Sequence, residues 1–432
     1  MIRALAMFGL LTAASPLAAQ NVAITNARLV IGDGTQVIDG GTVLVRGGKV
    51  VAAGRNVRVP AGVETVDAQG KYVTPGLVAG FSRLGLSEVD LGAAGSDDTE
   101  MGGSVFNAAI DVSPSVNPKA STIAVSRADG VTRAIVAPTT GKSIFAGQGA
   151  IIDTGDDFSP VLKSKAFQFV ELGEGGAGTA GGSRSSSFEL FRNALVEARD
   201  LRGRPDGARR DDVLLTRRDA QALVAVVQGR QLLIVHVERA VDIVNVLALK
   251  KEFPALKMAL VGVSEGWTVA DRIAASGVWV IASALNDLPA SFEMLAATQS
   301  NIGRLRAAGV KVAIGMIDDN DTRYARNQRQ FAGNLVSLQK VPRASGVSWD
   351  EAFAMISARP AEAVGMGGVV GSLAPGRQGD VVVWSGDPLE NDSVPETVWI
   401  DGVRQSLTNH QTRLRDRYRS LERQNVPEAY RK

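Results

Sequence analysis

The chain has 432 residues, 45% of them hydrophobic and 21% charged, with 47 Lys and Arg against 45 Asp and Glu for a formal charge of +2. That is a globular composition with room for two or three structural units, and the near-balanced charge argues against a nucleic-acid binder, which carries a basic surplus. With no cysteine and only two histidines, His236 and His410, disulfides, thiolate zinc sites, cysteine nucleophiles and any centre built from several imidazoles of one chain are excluded.

Residues 1–19 read as a secretory signal. Arg3 supplies the positive start, Ala4 to Ala14 is apolar, and Pro16-Leu17-Ala18-Ala19-Gln20 is a small-residue cleavage region. The apolar run is short for a membrane span. The expectation is a soluble periplasmic or secreted protein with no membrane contact after cleavage.

From Asn21 to Thr74 short β runs alternate with turn signals. Ala27-Arg28-Leu29-Val30-Ile31 precedes Gly32-Asp33-Gly34, and Gly41-Thr42-Val43-Leu44-Val45-Arg46 precedes Gly47-Gly48-Lys49. Such pairs between β-branched runs signal hairpins, here read as a small antiparallel sandwich. The same texture returns at Val381-Val382-Val383-Trp384 and Thr397-Val398-Trp399-Ile400. Neither segment can bury a core alone, so one β domain split by an insertion is expected.

The insertion alternates strand and helix. Val131 to Pro138, Leu232 to Val237, Met258 to Gly262, Val278 to Ala282 and Val310 to Gly315 read as buried strands. Helical stretches include Ala220 to Gln228, Val241 to Phe253, Thr268 to Ala275 and Asn301 to Ala308. This pattern implies parallel strands under helices. The intervening roughly 290 residues favour a closed barrel over an open sheet, whose nucleotide fingerprint is absent. Ser348-Trp349-Asp350-Glu351 is a capping box that opens a helix. Gly173 to Ser187, rich in Gly, Ser and Ala, reads as a disordered surface loop or a lid over the barrel mouth. Thr412 to Gln424 is a charged helix with Leu414, Tyr418 and Leu421 on one face, expected to dock on the body or on a partner, and His410 before it is read as a surface residue. The fold class is α/β, a TIM-like (β/α)8 barrel inserted in a small split β-sandwich. The expected units are the signal 1–19, the sandwich 20–74 with 366–407, the barrel 75–365 and the tail 408–432.

Several motifs resemble the amidohydrolase superfamily, closest to its imidazolonepropionase-like branch. Val73-Thr74-Pro75-Gly76-Leu77-Val78-Ala79-Gly80-Phe81-Ser82-Arg83 resembles the segment that opens that barrel, where Pro-Gly-Leu precedes Ile-Asp-Ala-His-x-His. Gly371-Ser372-Leu373-Ala374-Pro375-Gly376 through Gly379-Asp380 is similar to the turn feeding the returning strand. Val235-His236-Val237-Glu238 resembles the fifth-strand motif, Val261-Gly262-Val263-Ser264-Glu265-Gly266-Trp267 the sixth, and Ala313 to Asp319 the eighth. The resemblance implies hydrolysis of non-peptide carbon–nitrogen bonds at a metal. It also implies losses: Phe81 and Arg83 stand for the two first-strand histidines, Gly262 for the sixth-strand histidine and Ile317 for the eighth-strand aspartate. His236 is the only ligand position retained.

A catalytic zinc wants three protein ligands and water, so the usual site is not expected to form, and a guanidinium at Arg83 repels a cation. No cofactor is expected or, failing that, a single divalent metal such as zinc. The candidate catalytic residues are His236, Asp318 and Asp319; the candidate substrate-binding residues are Arg83, Phe81, Glu238 and Glu265. For each a plainer role stands beside this: His236 a satisfied core residue, Glu238 and Glu265 salt-bridged carboxylates, and Asp318 to Asp321 a solvated loop or a cation site of oxygen ligands. Three functions stay open: a binding or partner subunit that has lost hydrolysis, an active hydrolase rebuilt on His236 with Asp318 or Asp319, and a scaffold with no ligand at the barrel mouth. The expected partners are a small molecule at the barrel mouth and a second chain, either another copy or an intact homologue; no nucleic acid is expected.

Overall fold

The structure, a computed structural model, describes residues 20–88, 97–99, 102–201, 213–284, 286–315, 325–419 and 428–430. The expected signal at 1–19 lies outside them. No helix among the described residues is long and apolar enough to cross a membrane.

Two eight-stranded sheets organise the chain. The first holds β1 (Val22–Leu29), β2 (Ile38–Arg46), β3 (Lys49–Gly54), β4 (Glu64–Asp67) and β5 (Tyr72–Pro75) from the N-terminal part. The C-terminal part adds β14 (Val381–Trp384), β15 (Pro395–Ile400) and β16 (Val403–Arg404). The distant segments join where β14 runs antiparallel to β5, with Val382 opposite Thr74. Val22, Ile24, Val43, Val73, Val381 and Trp399 close one apolar core from both. The sheet is mixed, which corrects the purely antiparallel expectation. The excursion after β3 returns the chain to the other edge of β1, so β4 and β5 both pair with β1 in parallel.

The second sheet runs in chain order: β6 (Leu77–Ser82), β7 (Val131–Val136), β8 (Phe145–Asp153), β9 (Val161–Glu171), β10 (Leu232–Val237), β11 (Met258–Gly262), β12 (Trp279–Ala282) and β13 (Lys311–Ile314). It curls into the expected barrel. At the seam the Ile314 N–H donates to Met355 O (3.0 Å) and the Val78 N–H to Ile356 O (2.9 Å), so residues 355–356 bridge β13 and β6. Gly80 makes the close approach there; a Cβ on it would stand 2.0 Å from Ile314 O. Phe81, Phe167, Phe169, Ile234, Val261 and Ile281 fill the interior. Outward residues such as Val136, Val235 and Leu260 pack under helices that contribute Ile123, Phe191 and Val246.

One strand departs from expectation. β8 is antiparallel to both neighbours, so the barrel is not wholly parallel. The connections 137–144 and 154–160 are too short for a crossover helix, and only a reversed strand fits between them.

The two sheets are tied by Arg133, which is fully buried in β7. It donates to both oxygens of Asp380 (2.7 and 2.8 Å) and to Asp401 (2.6 Å), with Asp153 3.7 Å away. Burial opposes the guanidinium charge, but these carboxylates overcome it and raise its pKa. Asp153 goes the other way for a carboxyl: burial, only partly offset by Arg133, pushes it up to about 6. Asp380 closes the glycine-rich turn that begins at Gly371, so that motif anchors the first sheet to the barrel.

Gly173 to Ser187 is helical rather than a loop. It contains the helix Glu174–Thr179 and the start of the helix Arg184–Leu201, whose Phe191, Ala194, Leu195 and Ala198 are buried. The small residues are there for contact: a Cβ on Gly176 would stand 2.1 Å from Glu171 O. At the helix Trp349–Ala354, the Ser348 hydroxyl accepts the Glu351 N–H as its cap. The tail helix, His410–Tyr418, is opened by a capping box of Asn409 and Thr412, leaves Leu414 and Tyr418 exposed, and has an exposed His410. Leu421 lies outside the described residues.

Candidate active site

The C-terminal ends of β9, β10 and β11 meet at the barrel mouth. His236 faces Glu171 across the β9–β10 ladder, where the two are register partners. Strand alternation puts His236 on the interior side with Ile234, at the rim above the apolar filling. Its side chain is 18% exposed.

Both ring nitrogens are engaged by carboxylates. Nδ1 lies 2.5 Å from Glu171 Oε2 and Nε2 lies 2.9 Å from Glu238 Oε1. The remaining oxygens are also used: Glu171 Oε1 accepts the Gly173 N–H (2.8 Å) and Glu238 Oε2 accepts the Ser264 N–H (2.7 Å). Burial alone would lower the imidazole pKa, but the charges and hydrogen bonds of Glu171 and Glu238 raise it well above 6.5. An imidazole that gives a hydrogen bond to a carboxylate from each nitrogen is an imidazolium. It has no lone pair for a metal or for a proton.

Glu238 also occupies the ground of the sixth-strand position. Gly262 has φ +92°, and a Cβ on it would stand 2.3 Å from Glu238 Oε1 and 2.8 Å from His236 Cδ2. No side chain enters there without expelling Glu238 from His236.

A second ring of charge surrounds this pair. Glu293, whose carboxyl is pushed up by burial, accepts the Glu174 N–H (2.7 Å) and an Arg184 N–H (3.3 Å). Arg184 also donates to Asp242 (2.9 Å), which takes a two-pronged pair from Arg239 (3.0 and 2.9 Å). Gly173 lets the acids converge, since a Cβ on it would stand within 3.0 Å of both Glu171 and Glu293.

The remaining sequence candidates are placed as follows. Phe81 is buried in the barrel filling, edge-on to Phe169 with ring centres 5.2 Å apart. Glu265 accepts the N–H groups of Ala240 (3.0 Å) and Ala296 (3.1 Å), capping the helix Ala240–Glu252, which has no side-chain cap of its own. Arg83 is buried just beyond β6. Asp318, Asp319 and Ile317 lie outside the described residues. Thus His236 and Glu238 come together, while Phe81 and Glu265 serve packing and capping. Sequence reasoning missed Glu171, Glu293 and Arg184. Glu171 had a signal: it ends the run Phe167-Gln168-Phe169-Val170, just before the glycines.

This donor set does not fit a catalytic divalent metal. Position 81 offers a hydrocarbon, 83 a cation and 262 no side chain, and His236 is protonated between two acids. Among the described residues no group of three or more His, Asp or Glu side chains is arranged to hold a metal ion.

Residues 250–404 match the sequence pattern described as "Amidohydrolase family". A 60-residue stretch is 40% identical to amidohydrolase tasK of Hapsidospora irregularis; it covers 14% of this chain and 6% of that protein, a small part of the relative's length. An amidohydrolase from Thermotoga maritima MSB8 superposes with a TM-score of 0.78 at 23% identity, over 89% of this chain and 99% of that one. Molinate hydrolase (TM-score 0.53, 16% identity, 90% and 95% covered) and phenylurea hydrolase B (0.53, 16%, 90% and 97%) share the fold more loosely. Structural likeness at these identities speaks for the barrel and its companion sheet alone, and the sequence pattern makes residues 250–404 similar to the amidohydrolase family.

Proposed function

We propose that this chain has given up the metal-dependent hydrolysis of carbon–nitrogen bonds and acts as a binding subunit. Its barrel mouth takes a small molecule, and it works in the periplasm or outside the cell beside an intact homologue or a second copy. The reading rests on one observation: His236, the retained ligand position, is held between Glu171 and Glu238, and Glu238 stands where a sixth-strand side chain would enter. A protonated ring so held is a poor ligand and a poor general base at neutral pH, because each role needs a free lone pair. What the rim offers instead is a fixed arrangement of charge, in which Arg184 bridges Glu293 and Asp242.

The test is metal analysis of the chain purified without chelators, together with hydrolysis of N-acyl amino acids and cyclic ureides with zinc added. Zinc far below one equivalent and no chelator-sensitive turnover are the expected results. One equivalent of zinc with turnover abolished by a chelator would overturn the reading, and would favour a site rebuilt on His236 with Asp318 or Asp319.

A further inference from the structure

At the opposite end of the barrel, below the N-terminal ends of β10 to β12, lies a cavity of about 400 Å³. Its floor is apolar: Leu232, Met258 and Trp279 are the first residues of β10, β11 and β12, and Leu256 and Val278 complete it. Its rim is basic. Lys163, Arg230, Lys250 and Lys257 line it with a single carboxylate, Glu362, which leaves a surplus of +3 at this mouth on a chain whose whole formal charge is +2.

These cations have no acidic partner among the described residues. No ion pair involves Lys163, Lys250 or Lys257, and the Arg230 guanidinium meets only the neutral amide of Gln228, at 2.6 Å. The contrast with the rest of this barrel end is informative. Under β7 the first sheet covers the barrel and Arg133 is neutralised by acids; under β10 to β12 the end is open and its cations are left to solvent. Cations of like sign gathered over an apolar hollow repel one another, and an anion relieves that repulsion. Pockets for small organic ligands have this build: an apolar hollow with a few placed charges.

We propose that this cavity binds an organic anion, with a flat apolar body lying on Leu232, Met258 and Trp279 and a phosphate or carboxylate group held by Lys250, Lys257 and Arg230. The apolar floor separates this ligand from an inorganic ion, which would leave that floor wet. The rim separates it from a neutral aromatic, which would leave the cations unneutralised. This site is independent of the His236 rim and of the function proposed for it.

Calorimetric titration of the full chain with 1-naphthyl phosphate tests the proposal, with inorganic phosphate and 1-naphthol as the two half-ligands. The expected result is one site for naphthyl phosphate, with each half-ligand binding about tenfold more weakly or worse. Replacing both lysines, Lys250→Gln with Lys257→Gln, should weaken naphthyl phosphate about tenfold at unchanged Tm. If that double variant melts early, Lys257→Gln alone serves, since Lys257 is an exposed loop residue. Absence of binding, inorganic phosphate binding as tightly as naphthyl phosphate, or affinity unmoved by the lysine replacements would each overturn the proposal.

Discussion

Glu171 and Glu238 grip opposite nitrogens of one imidazole, so the charge of His236 is part of the fold. Removing the ring leaves two largely buried acids facing each other, and His236→Asn should cost about 3 kcal/mol in urea denaturation near neutral pH. The sign of the pH dependence follows from a pKa that folding raises. The stabilisation is complete below about pH 6.5, the ordinary histidine value, and is lost as pH climbs through the raised value. Proton NMR checks this directly: the ring signal that disappears in His236→Asn should hold its imidazolium shift from about pH 5.5 to 8, the range in which an unperturbed histidine titrates. A midpoint near 6.5 would contradict the geometry. Gly262 makes the complementary case. Gly262→Ala places a methyl against Glu238 at a backbone angle of φ +92°, and should cost about 2 kcal/mol from strain and lost contact. Gly262→His, which introduces the side chain found in the motif that this strand resembles, is expected to free the His236 ring from Glu238. Its NMR midpoint should then fall towards the ordinary value.

Among the described residues, Arg133 of β7 is the most deeply buried arginine. Arg133→Met strips Asp380 and Asp401 of their cation, and a loss of about 3–5 kcal/mol in chemical denaturation is expected. Asp153, on the neighbouring β8, should behave oppositely. Burial holds its carboxyl at about 6, so the folded state suffers from the charge above that pH and is relieved by protonation below it. Asp153→Asn should therefore raise Tm at pH 7.5, and the gain should shrink as the pH falls through 6 towards the unfolded value. A gain that grows on acidification would refute the assignment. How well elements could be read from sequence tracks their apolar continuity. β7 and β10 to β13 are rich in apolar residues with at most one charged or imidazole side chain each, and were legible. β8 was not, because Gly147 and Gly149 interrupt it. Gly149 is there for packing: a Cβ on it would stand 2.0 Å from the Phe167 ring. The helix Arg184–Leu201 was hidden by its serine-rich opening, since its stability comes from burying Phe191 and Leu195 rather than from local propensity.

For the molecule as a whole, the two sheets should unfold together. Only Gly76 separates β5 from β6, and β14 pairs with β5 while Asp380, just before it, holds Arg133 inside the barrel. Differential scanning calorimetry is expected to give one transition, which Arg133→Met broadens or splits. The split architecture was legible because its two ends share a β texture and a glycine-rich turn. The candidate site was half legible. His236 and Glu238 sit in a recognisable motif, whereas Glu171 and Glu293 are single acids whose importance appears only when folding brings them to the ring.

The reversed strand β8 also bears on how the chain reaches this state. β7, β8 and β9 form a meander in which each strand meets the next across a short turn. The seam between β6 and β13 instead joins residues on either side of nearly the whole barrel. Loop closure makes distant pairings slow and near ones fast. The meander is therefore placed to form first and serve as a template for β10 onward, with the seam closing last. Pulsed hydrogen exchange during refolding should protect the Ile135, Ile151 and Phe169 amides before that of Ile314.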